Sequence, residues 1–164
     1  MTALDGALLL LRIVVGLSFF AHGVRHARTL DGTARWFERV GFNMAPLQAR
    51  LAAFTELAAG AGLVVGLLTP VAAAVVVATM VTAAGSVHRF NGFFTFNKGE
   101  GWEYVNVLGS AGFVIAWLGA GSISLDHLIG IAWAGVVGFL IGIGGILAGI
   151  LQLVIFWRKP PATT

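Results

Sequence analysis

Apolar residues fall into five long runs, each closed by polar or turn residues. The runs cover residues 3–24, 47–68, 71–87, 104–120 and 128–157. A helix crossing a bilayer needs about 20 predominantly apolar residues, so this pattern predicts five membrane-spanning helices. Thr69 and Pro70 make a tight turn between the second and third. The fifth run is long for a core of about 30 Å. Tilt, or a bend near residues 141–145 (Ile-Gly-Ile-Gly-Gly), would absorb the excess.

The polar stretches between the runs are unequal. Arg25, Arg28, Arg35, Arg39 and Arg50 fill the first loop, Arg89 and Lys98 the third, and Arg158 and Lys159 the tail. The N-terminal tail, the Thr69-Pro70 turn and the loop at 119–127 hold no Lys or Arg. Cytoplasmic loops are rich in these residues. The chain is therefore expected to start outside and end in the cytoplasm, which requires an odd number of spans. Within residues 33–42, Trp36, Phe37, Val40 and Phe42 alternate with Arg35, Glu38 and Arg39. That is the pattern of a short amphipathic helix on the inner leaflet. The loop at 89–103, RFNGFFTFNKGEGWE, is rich in Phe, Gly and Asn, as suits a re-entrant or interfacial segment.

Composition agrees with this pattern. Of 164 residues, 58% are hydrophobic and 10% charged, against roughly 25% charged in a soluble domain. Mean hydropathy is +0.92. No basic run interleaved with aromatics suits a nucleic-acid groove. Cysteine is absent, so the chain cannot itself relay thiol–disulfide chemistry or carry an iron–sulfur cluster. The four histidines, His22, His26, His88 and His127, form no metal-ligand spacing, and no metal or flavin motif is evident. With neither a basic region before the first run nor a small-residue cleavage site after it, that run is expected to be an uncleaved helix.

Candidate chemistry lies with the polar residues inside or beside the apolar runs, where ionisable groups are costly and need partners. Glu56 sits in the middle of the second run, Arg12 interrupts the first, and His22 and His88 close the first and third. With the expected topology, His22, Glu56, His88, Asn91, Glu103 and Asn106 all fall in the cytoplasmic half of the bundle. Glu103, Asn106 and Ser110 share one helix face. Such a set suits a headgroup pocket for a quinone or lipid, with Trp102 and Tyr104 at its rim, or a proton path. The alternative is structural glue, above all an ion pair between Arg12 and Glu56 fixing helix register. His26 and His127 read as interfacial.

Glycine carries a second pattern. Gly138, Gly142, Gly145 and Gly149 make a small-residue stripe on the fifth run, and Gly62 and Gly66 a shorter one on the second. Such stripes let helices approach closely in lipid, either within the chain or in a homo-oligomer. Thr79, Thr82 and Ser86 form a similar packing face on the third run.

Five stretches together resemble the DoxX family of small bacterial membrane proteins. They are LLLRIVVGLSFFAHG ending at Gly23, TELAAGAGLVVGLLTPVAA at 55–73, HRFNGFF at 88–94, GEGWEY at 99–104 and GSISLD at 121–126. The resemblance covers about residues 8–126 in the family's order. It makes Arg12, His22, Glu56, His88, Asn91, Gly92 and Glu103 family-pattern positions. Where the family often has a lysine three residues after the His-Gly pair, this chain has His26. The resemblance implies a four-helix core and a link with redox complexes. Some members accompany thiosulfate:quinone oxidoreductase. Others are proposed to join a thiosulfate sulfurtransferase and superoxide dismutase in a membrane complex. More distant relatives act as cargo receptors or assembly chaperones.

The expected architecture is an all-α membrane protein: a DoxX-like four-helix bundle over residues 1–127, an additional helix over 128–157 and a cytoplasmic tail over 158–164. The expected setting is the bacterial plasma membrane, among lipids and redox-complex subunits. The expected function is an accessory or anchoring subunit of an oxidoreductase complex, with a polar pocket on the cytoplasmic side for a quinone or lipid headgroup; the alternatives are a quinone- or lipid-binding oxidoreductase in its own right and a receptor or assembly chaperone without chemistry.

Overall fold

A computed structural model describes residues 2–160, which form a helical bundle. Its α-helices are α1 (Ala3–Arg28), α2 (Leu30–Arg39), α3 (Ala45–Val65), α4 (Thr69–Ser86), α5 (Glu103–Leu118), α6 (Leu125–Leu128) and α7 (Val136–Phe156). A 3-10 turn, His88–Phe90, follows α4. By length and composition α1, α4 and α7 can each cross a membrane. The other two bundle helices are marginal on those criteria: α3 has 21 residues but carries Gln48, Arg50 and Glu56, and α5 is apolar but has 16 residues.

Local signals explain the boundaries. Thr2 and Asp5 form a capping box at the start of α1, satisfying backbone N–H groups left free by the first turn. Arg25, His26 and Arg28 occupy its last turn, where cations suit the helix dipole. Gly66 ends α3 in a left-handed conformation, φ +72°, that only glycine adopts without cost. Pro70 stands in the first turn of α4, where a missing N–H is harmless.

The fifth apolar run is not one long helix. Residues 129–135 are irregular, and Gly130 and Gly135 both adopt positive φ. α7 begins only at Val136 and spans about 31 Å at 1.5 Å per residue. The length expected to need a bend is removed at its start by these glycines. The amphipathic helix begins three residues earlier than expected, at Leu30, and its Thr33 is buried.

Two helix packings dominate. α1 and α3 lie antiparallel in close contact. A methyl on Gly16 would sit 2.8 Å from the Gly60 carbonyl oxygen, and one on Gly23 would sit 2.7 Å from the Leu57 backbone nitrogen. These small residues let the backbones meet. α4 packs against α5 and α7. Val15, Phe19, Ala59, Leu63, Ala73, Val76, Ile115 and Ala116 fill the core between the two sets.

The long glycine stripe is internal. Gly138 abuts the Ala116 and Trp117 carbonyls, Gly142 the Phe113 ring, Gly145 the Ala74 backbone, and Gly149 Ala78 and Val81. All four are buried. The face considered for a homo-oligomer is thus occupied by α4 and α5. Gly62 and Gly66 also form no free seam. Gly62 faces Leu67 and Ala72 at the α3–α4 turn, and Gly66 packs on Arg12 and Ser124. Of the expected packing face on α4, only Thr82 bonds across helices. Thr79 and Ser86 donate to carbonyls of their own helix.

Candidate functional site

Both ends of the bundle are organised by polar groups. At the N-terminal end Arg12 is fully buried. Its Nη1 donates to the Ala120 carbonyl and its Nη2 to that of Ile123 at 2.7 Å. Asp126, also buried, accepts from the backbone N–H groups of Leu68 at 2.7 Å and Thr69 at 2.8 Å. A carboxylate there meets the positive end of the α4 dipole. Asp5 accepts from the Ser122 N–H at 2.9 Å. Arg12, Asp126 and Asp5 therefore lock the 119–126 loop onto α1 and onto the α3–α4 turn.

Arg12 and Glu56 do not form the expected ion pair. Arg12 packs on Gly66, and Glu56 lies ten residues earlier on α3, about 15 Å along its axis. No arginine side chain covers that distance while bonding to the 119–126 loop. Among the described residues the one acid–base contact within 4 Å joins His26 Nε2 to Glu56 Oε2, at 3.6 Å, and it is an ion pair when the histidine is protonated. Glu56 is 6% exposed, and its Oε2 has no hydrogen-bond partner. His26 Nδ1 and the Thr33 hydroxyl share a hydrogen bond of 3.2 Å. His26, expected to be a bland interfacial residue, thus links α1, α2 and α3. His22, one turn earlier, is exposed.

His88, Asn91 and Glu103 form a third group, and it shapes the aromatic loop. His88 Nδ1 lies 2.9 Å from the Glu100 carbonyl. Asn91 Nδ2 donates to the carbonyls of Gly99 at 2.6 Å and Glu100 at 3.2 Å. Glu103 accepts from the Thr95 N–H and hydroxyl at 3.1 and 3.0 Å. Gly92 and Gly99, both at positive φ, allow the chain to fold back on itself. The loop exposes Phe90, Phe93, Phe94 and Phe96, a pattern that fits the headgroup boundary.

Asn106 lies elsewhere. It lines a groove of about 630 Å³ between α4, α5 and α7, together with Ser110, Trp102, Arg89, Met80 and Phe113. Of the six residues expected to share one pocket, Asn106 alone lines this groove. The others sit near the same end of the bundle but on different faces. The α1–α3 pair carries Glu56, while the loop after α4 carries His88 and Asn91.

One interhelical network had no motif to announce it. Gln152 on α7 donates to Gln48 on α3 at 2.9 Å and accepts from Thr82 on α4 at 3.0 Å. Gln48 is 2% exposed. Its only sequence signal is a polar side chain within an apolar run, the same signal that singled out Glu56. Asp126 was visible only as the last residue of the GSISLD stretch.

These features define an integral-membrane helical bundle of the small polytopic kind, with polar anchors at both ends and an amphiphile-sized groove. Within that class the chain belongs to the DoxX family, whose family model matches residues 7–89. The match runs from within α1 to Arg89 in the 3-10 turn after α4, and leaves out all but the first residue of the aromatic loop. No curated protein and no solved structure matches the chain.

Proposed function

We propose that the protein is an accessory subunit of an oxidoreductase complex in a bacterial plasma membrane, and that it holds a quinone headgroup in the groove between α4, α5 and α7. The observation that carries this reading is the groove's chemistry. Its walls are Val, Met, Ala, Phe and Ile side chains, with Asn106 and Ser110 as neutral polar groups and Arg89 and Trp102 also lining it. A volume near 630 Å³ falls within the usual range for small-molecule sites. Quinone carbonyls accept hydrogen bonds, which Asn106 and Ser110 can donate, while an isoprenoid tail can leave between helices into lipid. A phosphate headgroup would want more than one cation.

On this reading the chain binds and positions, and a partner subunit supplies the electron transfer. The end carrying the basic loops faces the cytoplasm. The test is extraction of quinones from protein purified in mild detergent. Asn106→Leu with Ser110→Ala should lower bound quinone about tenfold, the loss of roughly 1.4 kcal/mol of binding, at unchanged folded yield. Equal quinone in the double variant, or its absence from the parent protein, would sink the proposal.

A further inference from the structure

A second cleft, sharing no residue with the groove, lies between α2, the start of α3 and the segment after α7. Its volume is about 850 Å³, and Arg35, Arg50, Arg158 and Lys159 line it together with Asp31 and Glu38. We infer that this cleft binds the phosphodiester headgroup of an anionic phospholipid from the leaflet on the basic side of the membrane.

Four observations carry the inference. First, the four cations outnumber the two carboxylates, and among the described residues neither Asp31 nor Glu38 lies within 4 Å of a cationic group. Among the described residues the sole acid–base contact of that length is His26–Glu56, outside the cleft. Second, the cleft walls are strapped together. Phe42 and Trp157 form a β-bridge. Asn43 N–H donates to Phe156 at 2.8 Å, Arg158 N–H to Gly41 at 2.9 Å, and Trp157 Nε1 to Val40 at 2.8 Å. A basic site held by such backbone bonds needs little ordering when a ligand arrives. Third, Arg158 is fixed at the cleft. Its Nη1 donates to the Val154 carbonyl at 2.9 Å and to its neighbour Trp157 at 2.7 Å.

Fourth, the surface continuing from the cleft is apolar and open. Leu47, Leu51 and Phe54 are 41%, 47% and 70% exposed. They follow one another at i, i+4 and i+7 on α3, and so share a face. Arg50 is exposed within the same stretch of helix. A ligand with a phosphate for the arginines and acyl chains for that stripe satisfies both surfaces. Inorganic phosphate satisfies only the first. Basic pockets between helices at the cytoplasmic side have the chemistry to take anionic headgroups.

The test uses the full-length protein in mild detergent and native mass spectrometry after exchange into phosphatidylglycerol, phosphatidylcholine or phosphatidylethanolamine. The wild type should retain phosphatidylglycerol over both zwitterionic lipids. Each cleft cation contributes about fivefold in affinity, so Arg35→Gln with Arg50→Gln should weaken retention about 25-fold. A charge-matched control, Arg28→Gln with Arg39→Gln, removes two exposed cations of the same loop that do not line the cleft, and it should retain the lipid. Lys159→Gln, in the irregular tail after α7, replaces no helical residue, though it also removes the ammonium over the Phe90 ring, and should cost about fivefold. Excess inorganic phosphate should not displace the lipid. Equal losses in the two double variants would reduce the site to general positive charge and overturn the inference. Equal retention of zwitterionic lipid would overturn it too, as would displacement by inorganic phosphate.

Discussion

At residue scale, the buried charges are held by different devices. Arg12 rests on the backbone carbonyls of Ala120 and Ile123. Among the described residues Glu56 has only His26 within 4 Å as a basic partner. Removing one partner of a buried pair strands the other, so His26 and Glu56 should be coupled and Arg12 and Glu56 should not. In thermal unfolding in detergent, His26→Ala and Glu56→Ala should be non-additive by about 0.5–3 kcal/mol. Arg12→Met and Glu56→Ala should add to within about 0.5 kcal/mol. Coupling between Arg12 and Glu56, with none between His26 and Glu56, would refute the assignment. Arg12, Glu56 and the absence of basic groups near the N-terminus were evident from the chain alone. Which polar group met which was not, because pairing depends on the relative height of two antiparallel helices.

At the scale of elements, α7 is an integral member of the bundle. It is bound to α4 and α5 by the glycine stripe and to α3 by Gln152 and Gln48. Adjacent glycines on it should respond in opposite ways. Gly145 faces the Ala74 backbone, whereas a methyl on Gly144 would meet nothing within 4 Å. Gly145→Val should push α7 from α4 and cost about 1–3 kcal/mol. Gly144→Ala should be neutral, or stabilise by about 0.5–1 kcal/mol through helix propensity. Thermal melts of both variants check this, and a harmless Gly145→Val would show that α7 is not seated on α4. The 4, 3, 4 spacing of the stripe made close packing legible. It did not say whether the neighbour was the same chain or another copy. The aromatic loop shows the same division. Its composition placed it at an interface, but its shape comes from His88, Asn91 and Glu103 closing on the loop's own backbone.

At the scale of the whole molecule, the structure gathers the basic segments at one end. Arg35, Arg50, Arg158 and Lys159 line one cleft, Phe90 stacks on Trp157 at 6.4 Å, and Arg89 lies over the Trp157 ring at 5.6 Å. The 119–126 loop, the start of α1 and the α3–α4 turn form the other end. Five bundle helices put Thr2 and Pro160, the first and last described residues, at opposite ends. With the basic end in the cytoplasm, a C-terminal fluorescent reporter should be bright and a C-terminal alkaline phosphatase inactive. An active phosphatase there would invert the proposed orientation.

The polarity of the ends and the number of apolar runs were already contained in the amino-acid order, because both follow from the cost of placing charge in hydrocarbon. Arg12, Glu56 and the glycine stripe were identifiable for the same reason: each is an exception within an apolar run. Side-chain partnership was not contained there. It depends on helix rotation and axial offset, which a one-dimensional pattern does not specify. Those two variables took Arg12 to the 119–126 loop, gave Glu56 to His26, and left Asn106 in a groove apart from His88 and Glu103. They also drew α2, the start of α3 and the segment after α7 around a basic cleft, bringing Arg158 and Lys159 to residues more than a hundred positions earlier in the chain.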